Sequence, residues 1–339
     1  MNRKIMRKMT LKDIADATKL SVSTVSRALN GDPVVSRETQ DFVQKVAKDL
    51  GYGQQNLSKS CQIISIVMPD PVGYALRNPY FTEIVRGIYA VFREFPQMRL
   101  GLDDFATFES VQKDVHGAVI ISPDDVHFDV AQVSEIPAVV IDSMGDKEQM
   151  SIVSDNKAGM MMATEHVLVF GHRSVAYVGP RNTYSARARY EGYLSALEKY
   201  RVELSNPDWV VTTAGSSFQD GYAACASLWA LDSKPTAVMA FNDFMAWGIL
   251  EYCQSQGVSV PDELSVVGYD GTSQLPPMSL VHLTTVDQHA FQQGYTAANS
   301  LIGLLSGQPL GVNAINISPT LVVGNTVRRP AFLRVFQEV

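Results

Sequence analysis

The chain has little material for covalent or metal chemistry. Its three cysteines, Cys61, Cys225 and Cys253, lie far apart and show no metal-ligand spacing. That excludes a disulfide framework or zinc finger and leaves reduced thiols used mostly for packing. The six histidines include no HExxH pair, and His166 and His172 sit six apart with no Cys or carboxylate in a ligand pattern. No metal or cofactor is expected. There is no Walker A loop, no GxGxxG after a strand and no GxSxG elbow, which argues against an enzyme on an α/β fold. No apolar run approaches the length of a membrane span. The basic start MNRKIMRKM leads into no apolar signal core, so no membrane partner and a cytoplasmic location are expected. After Pro330 only AFLRVFQEV follows, with no heptad pattern.

What is present is an ordinary core-forming composition, 46% hydrophobic and 19% charged, over 339 residues, enough for two or three domains. The formal charge of -7 is unevenly spread. Residues 1–60 balance at +5 and the rest at -12, a basic head on an acidic body. Such a split suits a phosphate-contacting domain joined to a body that DNA repels.

The head carries the most telling stretch, TLKDIADATKLSVSTVSRALN, from Thr10 to Asn30. Thr10 with Asp13 three residues on makes a capping box, and Leu11, Ile14 and Ala15 give one apolar helical face. Ser21 caps a second helix with Val25 and Leu29 inward and Ser23, Thr24, Ser26 and Arg27 outward. A short polar second helix of this kind enters the major groove in a helix-turn-helix. The alternative is a plain helical hairpin with solvated hydroxyls. A third helix follows Pro33 and Ser36, with Phe42, Val43, Val46, Ala47 and Leu50 as its stripe, and residues 53–60 read as a linker.

From Ile63 the texture changes. Apolar runs at 63–68, 117–122, 138–141, 175–178, 237–241 and 264–269 read as strands buried on both faces. Helical stretches at about 79–94, 156–170, 187–200, 219–231, 244–256 and 289–305 alternate with them. This alternation predicts parallel sheets with helices on both sides, in two units. Ligands in such sheets bind beyond the strand carboxyl ends. Here those ends carry Asp70, Asp142, Asn242, Asp243 and Asp270, a polar set suited to hydroxyl groups. The plainer reading is that they cap the following helices, which would account for Asp243.

The opening stretch resembles the headpiece of the LacI/GalR family of bacterial transcription regulators. NPYFTEIVRGI, ATEHVLVFGHRSVAYVGP, SARARYEGY, AFNDFMAWGIL, LSVVGYDG and LTTVDQ resemble that family's effector domain in the same order. The resemblance implies a homodimeric repressor on pseudo-palindromic operator DNA. Its headpiece and linker would occupy 1–60, and its effector-binding and dimerisation core 61–339. The core would be two-lobed, like a periplasmic sugar-binding protein, with lobe 1 at about 61–153 and 289–318 and lobe 2 at about 154–288 and 319–339. Crossings between lobes would fall near Val153, Gln288 and Ser318.

By motif, Val22, Ser23 and Arg27 fall where the family reads bases, while Thr24, Ser26 and Asn30 would hold phosphates; Thr10 and Ser21 complete the expected DNA face. Arg189, Asn242 and Asp270 fall at the effector contacts, with Asp142, Tyr80, Phe81 and Gln288 as further linings. The expected effector is a mono- or disaccharide, with a nucleobase or a phosphoprotein corepressor as the alternative within the family. A sugar-binding module without a DNA role is the alternative outside it. For Arg189 and Asp270 an ion pair inside the core is the competing reading.

Four departures stand out. Lys19 holds the turn position where the family usually has Gly, at a cost of about 1 kcal/mol if left-handed. The linker lacks the Pro-Asn start of a hinge helix, with Cys61 near the usual leucine. The stretch 95–115 is short, so one strand–helix unit of lobe 1 looks trimmed. Ser216 falls where an aromatic often covers the ligand.

Overall fold

Thr10 opens the headpiece as expected: its hydroxyl and backbone N–H pair with the Asp13 carboxylate, and it accepts the Asp13 N–H. The computed structural model describes residues 10–29, 32, 35–50, 61–121, 136–143, 149–272, 280–308 and 311–330. Asn30 and the linker 51–60, with the hinge-helix question, lie outside them. Helices α1 (Leu11–Thr18), α2 (Val22–Leu29) and α3 (Arg37–Asp49) bury Ile14, Val25, Ala28 and Val43 completely against one another. Phe42 departs from the expected stripe. It is about half exposed, because the buried face of α3 is Val43 and Ala47.

The core begins at β1 (Gln62–Met68), one residue after the exposed Cys61. There follow α4 (Val72–Ala75), α5 (Pro79–Phe92), β2 (Met98–Asp104), α6 (Phe105–Val111), β3 (Gly117–Ile121), β4 (Ala138–Ile141) and β5 (Met150–Ser154). These strands and β11 (Ala314–Ile317) form a six-stranded parallel sheet in the order β11-β5-β4-β3-β1-β2. The unit expected to be trimmed keeps its strand, β2, and has a helix of only seven residues.

The second unit contains α7 (Asn156–Val169), β6 (Val175–Gly179), α8 (Tyr184–Lys199), β7 (Val210–Thr212), α9 (Phe218–Trp229), β8 (Ala237–Ala240), α10 (Asp243–Gln256) and β9 (Ser265–Val267). Its parallel sheet runs β7-β6-β8-β9. Beside it, β10 (Thr285–Asp287) pairs antiparallel with β12 (Thr320–Val322). Between those two strands in sequence, α11 (Ala290–Leu305) and β11 return to the first unit. The chain thus passes between units after Ser154, at Gln288–His289 and at Ser318–Pro319.

The run GAVII of β3 and AVVI of β4 are buried at every residue, as strands covered by helices on both faces must be. Helix α11 closes on α5 where Gly294 faces the Ile84 carbonyl and Gly87 faces that of Phe291. A Cβ at either glycine would collide with backbone. That close approach seats the returning helix beside Tyr80 and Phe81 at the start of α5.

The thiols Cys225 and Cys253, distant in sequence, meet between α9 and α10, buried with sulfurs 4.0 Å apart.

Candidate functional site

A cleft of about 540 Å³ opens between the two units. It is lined from the first by Asp70, Tyr74, Asn78, Tyr80, Phe81 and Asp142, and from the second by residues after β6, β7, β8 and β9. Strand ends supply Asp70, Asp142 and Asp270, as parallel sheets place them. Asp142 follows β4 at φ 60 and Asp270 follows β9 at φ 127, with its N–H donating to the Val286 carbonyl at 2.8 Å. Non-glycine residues held at positive φ cost on the order of 1–3 kcal/mol and collect where function fixes them.

Arg189 stands at the middle of this wall, on α8, and is 2% exposed. Its Nε donates to Asn156 Oδ1 at 2.7 Å, and its Nη1 to the Phe241 carbonyl at 2.8 Å and to Asp270 Oδ1 at 3.3 Å. The guanidinium carbon lies 3.8 Å from the Tyr269 ring centre and 4.5 Å from that of Phe241. Asn156 turns its amide nitrogen to Asp142 Oδ1 at 3.1 Å. One arginine therefore links two strand-end carboxylates, one directly and one through Asn156. Burial pushes the Asp270 carboxyl well above the usual carboxylate range; Arg189 pulls it back, while Asp243 and Asp142 raise it further.

Asn242 caps α10, its Oδ1 accepting the Met245 N–H at 2.8 Å and its amide reaching the Ser216 carbonyl at 3.2 Å. The next residue, Asp243, is no cap. It accepts from Thr285 Oγ1 at 2.5 Å and from the N–H and hydroxyl of Thr272, tying α10 to the strands behind it. Burial pushes its carboxyl up to about 6, against those hydrogen bonds.

Of the residues singled out by sequence, Arg189, Asn242, Asp270, Asp142, Tyr80 and Phe81 all line the cleft. Gln288 does not. It is fully buried behind the wall and donates from Nε2 to Asp270 Oδ1 at 2.7 Å. The Tyr80 hydroxyl is buried with no hydrogen-bond partner. Burial, Asp142 and Asp270 all raise its pKa, so it remains a neutral donor.

Sequence reasoning missed Asn78, Asn182, Thr183, Ser185, Ser217 and Asp220 in the lining. The available signal was capping chemistry, since Asn78, Thr183 and Ser217 are the N-caps of α5, α8 and α9. With α10, four helix N-termini border the cleft.

The headpiece presents a second surface. Val22 and Ser23 are exposed on α2, as is Arg27, whose Nε is 3.8 Å from Asp32 Oδ2. Ser21 caps the helix through the Thr24 N–H at 3.0 Å, and Ser26 and Thr24 are half-buried at its edges.

Comparison with known proteins finds that residues 10–55 match the lacI family of bacterial regulatory proteins and residues 164–327 the periplasmic binding protein-like domain. The ribose operon repressor of Halalkalibacterium halodurans is 28% identical over 334 residues, covering 94% of this chain and 97% of that protein. The HTH-type transcriptional repressor PurR of Haemophilus influenzae is 27% identical, covering 94% and 98%. A LacI family transcriptional regulator from Enterococcus faecium, solved with bound ribose, is similar with a TM-score of 0.68 at 25% identity, over 79% of this chain and 99% of that one.

Proposed function

Because the chain belongs to the lacI family of bacterial regulatory proteins, we propose that a small effector, a mono- or disaccharide, binds in the cleft around Arg189 and sets the headpiece's affinity for operator DNA. The protein is a transcriptional repressor and not an enzyme, and it acts as a homodimer on operator DNA. On a pseudo-palindromic site each headpiece takes one half-site. Val22, Ser23 and Arg27 read base edges, Thr24, Ser26 and Asn30 position α2 on phosphates, and Thr10 and Ser21 complete the DNA face. No described helix is long and apolar enough to cross a membrane. A cytoplasmic location follows from the DNA partner. Residues 1–60 serve as headpiece and linker and 61–339 as the effector and dimerisation core.

The observation that carries the effector reading is the hub of Arg189, Asp270 and Asn156 on the wall of an open cleft. Buried charged groups fixed on both sides by rings and amides orient a polar ligand without having to be ordered first. Asp142 and Tyr80 approach from the first unit and Asn242 and Asp270 from the second, so a ligand touching both would bias how the units sit. A nucleobase is the second reading, supported by the rings of Tyr74, Phe81 and Phe244 in the lining.

Selection of binding sites from a random duplex pool, followed by a gel shift with and without sugars, tests the function. The expected outcome is one roughly palindromic sequence whose binding changes with a sugar. A pool that stays unselected while the core binds sugar would favour a sugar-binding module without a DNA role.

A further inference from the structure

The cleft is poor in available positive charge. Asp70, Asp142, Asp220 and Asp270 line it, and Arg189 is the one Lys, Arg or His among its described lining residues. That guanidinium is already engaged by Asn156, by the Phe241 carbonyl and by Asp270, with aromatic rings beside it. The four helix N-termini that border the cleft count for roughly half a positive charge each, offsetting about two of the three surplus negative charges. Each is also capped from within the chain. Asn78 takes the Tyr80 N–H, Thr183 that of Ala186, Ser217 that of Asp220 and Asn242 that of Met245. At α9 the cap is doubled by a full carboxylate, Asp220, which accepts from the N–H and hydroxyl of Ser217.

A phosphate or carboxylate needs an uncommitted cation or a cluster of free N–H groups. This cleft instead offers acceptors, which call for a ligand rich in O–H donors. In return it offers the unpartnered Tyr80 hydroxyl and the amide and hydroxyl groups of Asn182 and Ser185.

We propose that the cleft selects an uncharged, hydroxyl-rich ligand and rejects the phosphorylated or carboxylated derivatives of the same compound. This rests on the effector reading and narrows it: the signal is a free sugar, before any kinase has acted on it. A phosphate ester carries charge of the same sign as the cleft, and like-charge juxtaposition weakens binding on the order of a hundredfold.

The test is a melting-temperature and calorimetric titration of the full chain with matched pairs: ribose and ribose 5-phosphate, glucose and glucose 6-phosphate, with cellobiose, glucosamine and hypoxanthine alongside. The expected result is that a free sugar raises the melting temperature and its phosphate does not at the same concentration. An ester that binds as well as or better than its parent overturns the inference and leaves the sugar reading standing. Binding of hypoxanthine with no response to any sugar overturns the sugar reading, while the preference for an uncharged ligand holds.

Discussion

Arg189 Nη1 stands 3.3 Å from Asp270 Oδ1, an ion pair buried to a few per cent exposure at the edge of an open cleft. The same oxygen accepts from Gln288 Nε2 at 2.7 Å, and Gln288 adjoins His289, where the chain crosses back to the first unit. The pair is thus an element of the wall and a neighbour of the crossing at once. The two readings of these residues, core ion pair and ligand contact, are compatible.

Replacing Arg189 by Ala leaves Asp270 buried without its cation and Asn156 without its donor. Breaking a buried pair from one side costs about 3–5 kcal/mol. The core transition of Arg189→Ala should fall accordingly, and the deficit should shrink at lower pH, where Asp270 can neutralise itself by protonation. Well below that transition, operator binding persists and the effector response is gone. Thermal melts at pH 8 and pH 5 with gel shifts at low temperature check this. An unchanged melting point would mean that the hub adds no stability.

Tyr80→Phe separates binding from folding. The tyrosine hydroxyl is buried with no partner, so its removal sacrifices no hydrogen bond in the free protein and relieves a desolvated group. Stability should hold or rise by about 1 kcal/mol. Affinity for the effector should drop several-fold, because a hydroxyl with no partner in the protein is left to donate to a bound ligand. Calorimetry on the variant decides, and undiminished affinity would remove Tyr80 from the contact set.

The distribution of legible and illegible features has a physical cause. The strands β3 and β4 announce themselves because every residue is buried and apolar. By contrast β2, MRLGLDD, lies at the sheet edge with mixed exposure, and β5, MSIVS, interrupts its apolar run with buried serines, so neither reads as a buried strand. At the site, Arg189 and Asp270 were visible because motifs carry them. The part played by Asn156 was not, since it depends on α7 meeting α8 across 33 residues of sequence. The resemblance carried by LTTVDQ places Gln288 in the lining. Its side chain turns inward to Asp270, a choice set by hydrogen bonding that periodicity does not encode. Phe42 misled for the opposite reason: an aromatic at helical spacing next to Val43 fell just outside the buried face.

His172 makes stability depend on pH. Its ring is buried, with Nδ1 2.9 Å from Thr236 Oγ1 and Nε2 2.8 Å from the Arg328 carbonyl, and burial pushes its pKa down from 6.5 to about 4. The fold therefore favours neutral imidazole. That contribution is complete above pH 6.5 and is lost as pH falls toward 4, at most about 3 kcal/mol. The stability difference between the parent and His172→Gln should be largest at pH 7.5 and diminish steadily toward pH 4.5. Denaturant melts across that range check it, and a pH-independent difference would show that the histidine titrates alike in the folded and unfolded states.

Lys19 carries the turn between α1 and α2 at φ 59 and ψ 28, with the Leu20 N–H held by the Ala15 carbonyl at 3.2 Å. The turn thus keeps left-handed geometry without the glycine that would make it easy, and a side chain there costs about 1–2 kcal/mol. Glycine would remove that strain while giving back part of it as unfolded-chain entropy, about 0.4–1 kcal/mol. Lys19→Gly should therefore raise headpiece stability by about 0.5–1 kcal/mol, read as a later headpiece transition on heating. The same substitution deletes a cation from the DNA-facing domain. If Lys19 meets a phosphate, the salt slope of operator binding falls by about one unit per headpiece. A variant that is more stable yet binds with a shallower salt dependence would show why a lysine is kept in a turn that strains it. A variant less stable than the parent would mean that the lysine stem packs where glycine cannot.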